Sequence, residues 1–294
     1  MAKQAFNYRG ESQTLDAAMR ASLPGGFVEL PDGFVHYELA GPPEGQIVIL
    51  VPGVSVPYAT WDPTFPTLAD AGFHVLRYDL YGRGYSDRPD VVYDLDLFDR
   101  QIAHLLSALG LNDPINLVGL SMGGAIVTTF AAHHPKHVRR LVLIDPLVSP
   151  PAATLPFKML LTPGVGEQVV NWLGDMIFVG GQAQDFYNSE LVSTFQEKYR
   201  LPMKYRGFKR AILSTIRSIP TWHITEAYEQ VGKANYPVLL LWGRQDKTIP
   251  FETRRQVQAV IPRVEFHAID DAGHVPHYEQ PDVVNPLLIG FLRR

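Results

Sequence analysis

Ile47-Val48-Ile49-Leu50-Val51 is a run of five uninterrupted apolar residues. A run this short and continuous reads as a strand buried on both faces. The pattern then repeats along the chain. A helical stretch at 63–71 leads to a strand at 74–78, one at 94–109 to a strand at 115–118, and one at 122–134 to a strand at 141–144. The alternation resumes with a strand at 238–242, a helix at 252–261, a strand at 264–269 and a last helix from about 280. Strands that alternate with helices are joined by crossovers, which makes the sheet parallel and covers both faces. Residues 27–30 and 34–39, around the turn Pro31-Asp32-Gly33, are expected to add a short antiparallel pair. The expected fold class is therefore α/β, with a mostly parallel central sheet and helices on both faces.

Residues 147–232 break this rhythm. They are rich in aromatics, contain Pro150-Pro151 and glycines at 164, 166, 174, 180 and 181, and show helical but no strand periodicity. This interval is expected to be a helical cap between two consecutive strands, with 1–146 and 233–294 forming one core domain. A separate C-terminal domain is the alternative, but 233–294 resumes the strand–helix alternation. A chain of 294 residues with 46% hydrophobic residues can bury a sizeable core. Net charge is −4 with acids and bases interleaved, which gives no reason to expect nucleic acid as a partner. Cysteine is absent, so disulfides, thiolate metal sites and a cysteine nucleophile are excluded. Met1–Ala21 is polar, and no stretch approaches the roughly 18 apolar residues of a membrane span. The expectation is a soluble, cytoplasmic protein.

The strongest local signal for chemistry is Gly119-Leu120-Ser121-Met122-Gly123-Gly124. A buried strand runs into Gly-x-Ser-x-Gly and a helix follows at once, which lifts the serine hydroxyl above the sheet edge on a crowded turn. The helix N-terminus behind it favours a developing oxyanion. A serine hydroxyl needs a base to take its proton. His274 lies in Asp271-Ala272-Gly273-His274-Val275, directly after a strand and so at the same sheet edge; His277 on the same loop is the rival. His133, His134 and His137 flank a helix C-terminus at Pro135, where imidazoles suit the dipole and free carbonyls, so no metal site is expected there. The base needs an orienting carboxylate. Asp246, in the loop Gly243-Arg244-Gln245-Asp246 after the strand 238–242, is the expected acid, with Asp145 as the alternative. An oxyanion hole needs two donors. The expected pair is the backbone N–H of Met122 and that of Val54, in the loop Pro52-Gly53-Val54.

These segments, with Tyr78-Asp79-Leu80-Tyr81-Gly82-Arg83-Gly84-Tyr85-Ser86-Asp87, resemble the α/β-hydrolase superfamily, in particular its esterase and lipase-like members with a helical lid. The resemblance covers 27–146 and 233–293. It implies the α/β-hydrolase fold and a Ser121–His274–Asp246 triad, with Asp79, Arg83 and Ser86 as structural residues. Many relatives carry His-Gly where this chain has Pro52-Gly53; the donor is a backbone N–H, so the chemistry survives the exchange. A serine nucleophile speaks against the epoxide hydrolase and haloalkane dehalogenase branches, which need a carboxylate there.

The aromatics of 147–232 favour an apolar pocket between cap and sheet edge, for which Gly53, Trp172, Phe178, Phe186 and Val275 are candidates. The expected function is hydrolysis of carboxylic esters with a hydrophobic acyl or aryl part, including monoacylglycerol-type lipids, through an acyl-enzyme without metal or organic cofactor. A carbon–carbon bond hydrolase of ring-cleavage products, sharing fold and triad, is the second reading; a ligand-binding receptor on a hydrolase scaffold is the third. Lys198, Arg200, Lys204, Arg206, Lys209, Arg210 and Arg217 fall within 198–217 without one acidic residue. Two expectations compete there: weak contact with an anionic membrane, or a solvated helix paired within the fold.

Overall fold

The computed structural model describes residues 6–111, 114–152 and 154–294. The parts of the expected domains at 1–5, 112–113 and 153 lie outside the described residues. The apolar runs become one eight-stranded sheet: β1 Gly26–Leu30, β2 Gly33–Ala40, β3 Ile47–Val51, β4 His74–Tyr78, β5 Ile115–Leu120, β6 Val138–Ile144, β7 Val238–Gly243 and β8 Glu265–Ile269. Their spatial order is β1-β2-β4-β3-β5-β6-β7-β8. β2 pairs antiparallel with β1 and β4, and every other pairing is parallel. Every residue of β3, β4, β5 and β7 is buried, as a run without polar alternation requires. β6 starts earlier than expected, at Val138, because the Arg139-Arg140 pair interrupts its apolar signal.

The helices are α1 Ala17–Ser22, α2 Phe65–Asp70, α3 Leu95–Ala108 and α4 Met122–His133 before β6, and α10 Arg254–Val260, α11 Pro276–Glu279 and α12 Pro281–Arg293 after β7. Between β6 and β7 lie α5 Leu155–Leu161, α6 Val165–Asp175, α7 Val192–Arg200, α8 Phe208–Ser218 and α9 Ile224–Lys233. Strand residues divide between two apolar clusters by their alternation. Ile49, Val51, Leu117, Leu143 and Trp242 face α3, α4 and α9. Val48, Leu50, Val118, Val142 and Leu241 face α2 and α12 in a cluster that also takes in Val170, Phe195, Tyr199 and Phe208 of α6–α8.

The expected cap interval, 147–232, ends in a helix that packs on the sheet layer. Ile224, Tyr228 and Val231 of α9 pack with the sheet beside α4, and the Tyr228 hydroxyl donates to the Leu147 carbonyl. α9 is thus the crossover helix of the sheet layer.

An N-terminal segment that carries no signal in the sequence ties α6 and α8 down. The Arg9 N–H donates to Asn171 Oδ1 at 2.8 Å, and the Gln13 N–H donates to the Lys204 carbonyl at 3.0 Å. The Glu11 carboxylate accepts from the N–H groups of Gly207 and Lys209. The basic stretch is largely engaged within the fold. Lys198 pairs with Asp62, Lys209 with Asp175, Arg210 with Asp90 and Arg217 with Glu167. Among the described residues no helix is long and apolar enough to cross a membrane.

Candidate active site

β5 ends directly in the turn that carries Ser121, whose φ is 54° and ψ −120°. A non-glycine residue in that region is strained and persists only where surroundings enforce it. Here the glycines enforce it. A Cβ on Gly119 would lie 2.4 Å from the Gly123 carbonyl oxygen, and one on Gly123 would lie 2.4 Å from that of Val51. A Cβ on Gly124 would lie 2.5 Å from the Pro146 Cβ. Strand, turn and helix therefore approach more closely than any side chain permits. The Ser121 N–H donates to the Ile144 carbonyl at 3.0 Å, and its own carbonyl accepts from Leu147 at 2.9 Å, which locks the elbow to the end of β6. Met122 opens α4, so its N–H is one of the unpaired donors of a helix start.

The loop after β3 passes close to the nucleophile: a Cβ on Gly53 would sit 3.4 Å from the Ser121 Cβ. The next peptide is held from below. Arg83 Nε donates to the Val54 carbonyl at 2.7 Å, Nη1 to the Tyr81 carbonyl and Nη2 to Thr215 Oγ1 on α8. Burial pushes this guanidinium down to about 10. Asp79 is likewise occupied, accepting from His36, Tyr58 N–H and Tyr85 N–H. Ser86 Oγ donates to the Asp79 carbonyl. All three are structural partners, Arg83 with one end on the candidate oxyanion loop.

On the neighbouring strands, Asp246 and His274 meet. His274 Nδ1 lies 2.8 Å from Asp246 Oδ2, and both side chains are buried. Asp246 Oδ1 accepts from the N–H groups of Thr248 at 2.8 Å and Ile249 at 2.9 Å. Burial alone would raise this carboxyl, but the imidazole and the backbone donors hold it below the ordinary carboxylate value. Burial alone would lower His274, yet the Asp246 charge outweighs it and the ring is more basic than an ordinary histidine. The loops interlock: the Gln245 N–H donates to the Ala272 carbonyl and the His274 N–H to the Asp185 carbonyl at 2.7 Å. Glu279 clamps Gly273 at 2.6 Å and also accepts from Tyr187 and Asn188. Among the described residues the Ser121 hydroxyl makes no hydrogen bond to the His274 ring. Such nucleophile–base contacts commonly tighten only with substrate in place.

A known family now accounts for this arrangement. The model of the alpha/beta hydrolase fold matches residues 46–281. The chain belongs to this family. A 2-hydroxy-6-oxo-6-phenylhexa-2,4-dienoate hydrolase of Comamonas testosteroni is 28% identical over 276 residues, covering 90% of this chain and 93% of that one. Lipase 3 of Moraxella sp. (strain TA144) is 28% identical over 226 residues, covering 73% and 68%. The structure of a thermophilic esterase from Thermogutta terrifontis superposes with a TM-score of 0.79 at 22% identity, over 92% of this chain and 98% of that one. A likeness at that identity speaks for the fold.

In this hydrolase the remaining sequence candidates take distinct places. His277 is buried with its Nε2 3.0 Å from the Thr60 carbonyl and its ring 4.4 Å from that of Trp61. Burial pushes it down to about 3, so it stays neutral and engaged away from Asp246. His133 and His134 face Asp99. Phe186 packs edge-on against Phe195 and Tyr278, Phe178 packs against Phe208, and Val275 is buried beside His274. Trp172 departs from expectation. It is 64% exposed on the outer face of α6, with the Arg9 guanidinium 4.1 Å over its ring, because Val170 and Gly174 supply the inward face. Sequence reasoning missed Asp185 and Glu279 as supports of the site, and the hold of Arg83 on the Val54 loop. Their partners are backbone atoms, which leave no residue-type signal.

Proposed function

We propose that this hydrolase cleaves carboxylic esters with a hydrophobic acyl or aryl part, monoacylglycerol-type lipids among them, by an acyl-enzyme route. The observation that carries this reading is a buried Asp246–His274 pair at the sheet edge that also bears Ser121 on a strained elbow. Ser121 Oγ attacks the ester carbonyl while His274 Nε2 takes its proton, and Asp246 holds Nδ1–H and stabilises the imidazolium. The N–H groups of Met122 and Val54 receive the oxyanion. His274 then protonates the departing alkoxide, and water, deprotonated by the same ring, releases the acid. Helices α5–α8 act as the cap, and Phe186 and Phe195, packed against Tyr278 of α11, supply the apolar wall. The similarity to Lipase 3 agrees with this chemistry. Ser121→Ala is expected to lower turnover by about 10⁶-fold where the three residues act as a unit. Near-normal turnover in that variant, or no labelling of Ser121 by a fluorophosphonate, rejects the mechanism.

A second reading keeps the triad and changes the bond. The Comamonas testosteroni relative is a dienoate hydrolase. The Gln182 side-chain amide of the cap is also buried, with neither its oxygen nor its nitrogen hydrogen-bonded among the described residues. A polar group so placed suits a substrate with hydrogen-bonding functions, as a ring-cleavage product has. p-Nitrophenyl esters of graded chain length, run against a dienoate, separate the two readings by kcat/KM. The same ester series with anionic vesicles reads any surface contact by Arg200, Lys204 and Arg206.

A further inference from the structure

Beside the Asp246–His274 pair sits a second carboxyl to which the ester reading gives no part. Asp145 follows β6, directly between the elbow strand and the strand of Asp246. It is fully buried, with φ 41°, and its N–H donates to the Leu241 carbonyl. Its Oδ1 accepts from the Gly243 N–H at 2.9 Å, while Oδ2 is buried and meets no donor among the described residues. One ligand atom from each of Asp145, Asp246 and His274 falls within 4.8 Å of the others. Two carboxylates this close, out of water, with one imidazole for the pair, do not both ionise: like charges in a buried site leave one of the two protonated.

Which carboxyl keeps the proton is decided by the donors around each. Asp246 accepts from Thr248 N–H, Ile249 N–H and His274 Nδ1, three groups that favour its charge. Asp145 accepts from one. We propose that Asp145 is held as the neutral acid and donates its proton from Oδ2 to the Asp246 carboxylate, acting as a positioning residue for the acid–base pair. Asp246 then carries the single negative charge, and part of that charge is drawn away from His274. The environment of the two carboxyls agrees. Burial and the Asp246 charge push Asp145 well above the ordinary carboxylate value, while Asp246 lies below it. The charged groups facing the cluster are His274, Asp185 and Glu279: Glu279 adds to the pressure on Asp145 to stay neutral, whereas Asp185 acts on Asp246 and His274. The inference rests on the triad reading and extends it to a fourth residue.

The test uses the full chain with one near-isosteric and one truncating variant. Infrared difference spectra at neutral pH are expected to show a protonated-carboxyl C=O band in the wild type that Asp145→Asn removes. The Asn amide still donates to Asp246 and still accepts from Gly243, so kcat/KM is expected to stay within about 5-fold, with its acid limb in place, because the hydrogen-bond pattern survives. Asp145→Ala leaves Asp246 one donor short. Activity is expected to fall about 10- to 100-fold, the range for a buried charged acceptor deprived of a partner. The acid limb should move to higher pH, since the full Asp246 charge then acts on His274. Three results overturn the proposal: a carboxyl band untouched by Asp145→Asn; Asp145→Asn as damaging as Asp246→Asn, which makes Asp145 the ionised acid; or a wild-type pH profile in Asp145→Ala. Loss of wild-type activity to a chelator and its return with Zn²⁺ overturns it too, by making the three residues a metal site. Fluorophosphonate labelling of Ser121 reads the serine mechanism independently. A lost band without labelling sinks the hydrolysis reading and leaves the shared proton standing.

Discussion

Ser121 and Asp145 end neighbouring parallel strands and share an unusual backbone, φ 54° and 41°. Their surroundings differ in kind. Ser121 is placed by steric contact, since Gly119, Gly123 and Gly124 let three backbone segments touch, and the residue stays partly accessible. Asp145 is placed by polarity, sealed from water with one backbone donor and an acid for a neighbour. The first region is a problem of volume and the second a problem of charge. Each therefore fails in its own way: extra atoms disrupt the elbow, whereas the acid end is disrupted by removing or adding a proton or a donor.

Among variants that leave the nucleophile in place, the largest effect is expected on the charge side. Asp246→Asn keeps the shape but favours the wrong histidine tautomer, and should lower kcat by about 10⁴-fold. In the wild type kcat/KM should fall as pH drops through the raised pKa of His274, because the ring must be neutral to act as base. A pH–rate profile whose acid limb lies below the ordinary histidine value breaks the comparison. Next comes the proposed oxyanion loop. Val54→Pro deletes one donor and should cost about 10²–10³ in kcat, whereas Val54→Ala, which keeps the N–H, should leave kcat near wild type. Equal losses in both variants would move the second donor elsewhere. On the steric side, Gly123→Ala puts a methyl group against the Val51 and Pro52 carbonyls, 2.4 and 2.5 Å from its Cβ. Overpacking of this sort costs about 1–3 kcal/mol, read from the shift in denaturant midpoint. An elbow displaced by about 1 Å should also lower kcat by about 10²-fold. Wild-type stability in that variant would show that the glycines are dispensable.

The same division decides what was legible in the sequence. The elbow is local, so strand, Gly-x-Ser-x-Gly and helix lie in one continuous stretch and announce themselves by residue type. The pairing of Asp246 with His274 was legible for a related reason, as each follows an apolar strand whose C-terminal edge is shared. The supports were not. Arg83 works through the Val54 carbonyl, Glu279 through three backbone N–H groups and Asp185 through its own carbonyl, none of which a pattern of side chains records. Asp145 stood out only as a rival acid, because its pairing with Asp246 depends on the register of β6 against β7. The helices α5–α8 were the least legible part. Their aromatics signal burial without saying where, and α9 joined them in the sequence although it packs on α4.

Trp172 gives the smallest expected effect and the sharpest check on the proposed cap. Its ring lies outside, stacked under Arg9, and the N-terminal segment that carries Arg9 also grips α8 through Glu11. Trp172→Ala removes an exposed cation–π contact worth about 0.5–1 kcal/mol, which a thermal or denaturant melt can read. The ring is exposed on the outer face of α6, so kcat/KM should stay within about 2-fold, in line with other surface truncations. A rise in KM for long-chain esters, with kcat unchanged, would mean that α6 turns its outer face inward when substrate binds. The contrast between the sheet edge and the helices α5–α8 would then be one of motion as well as of chemistry.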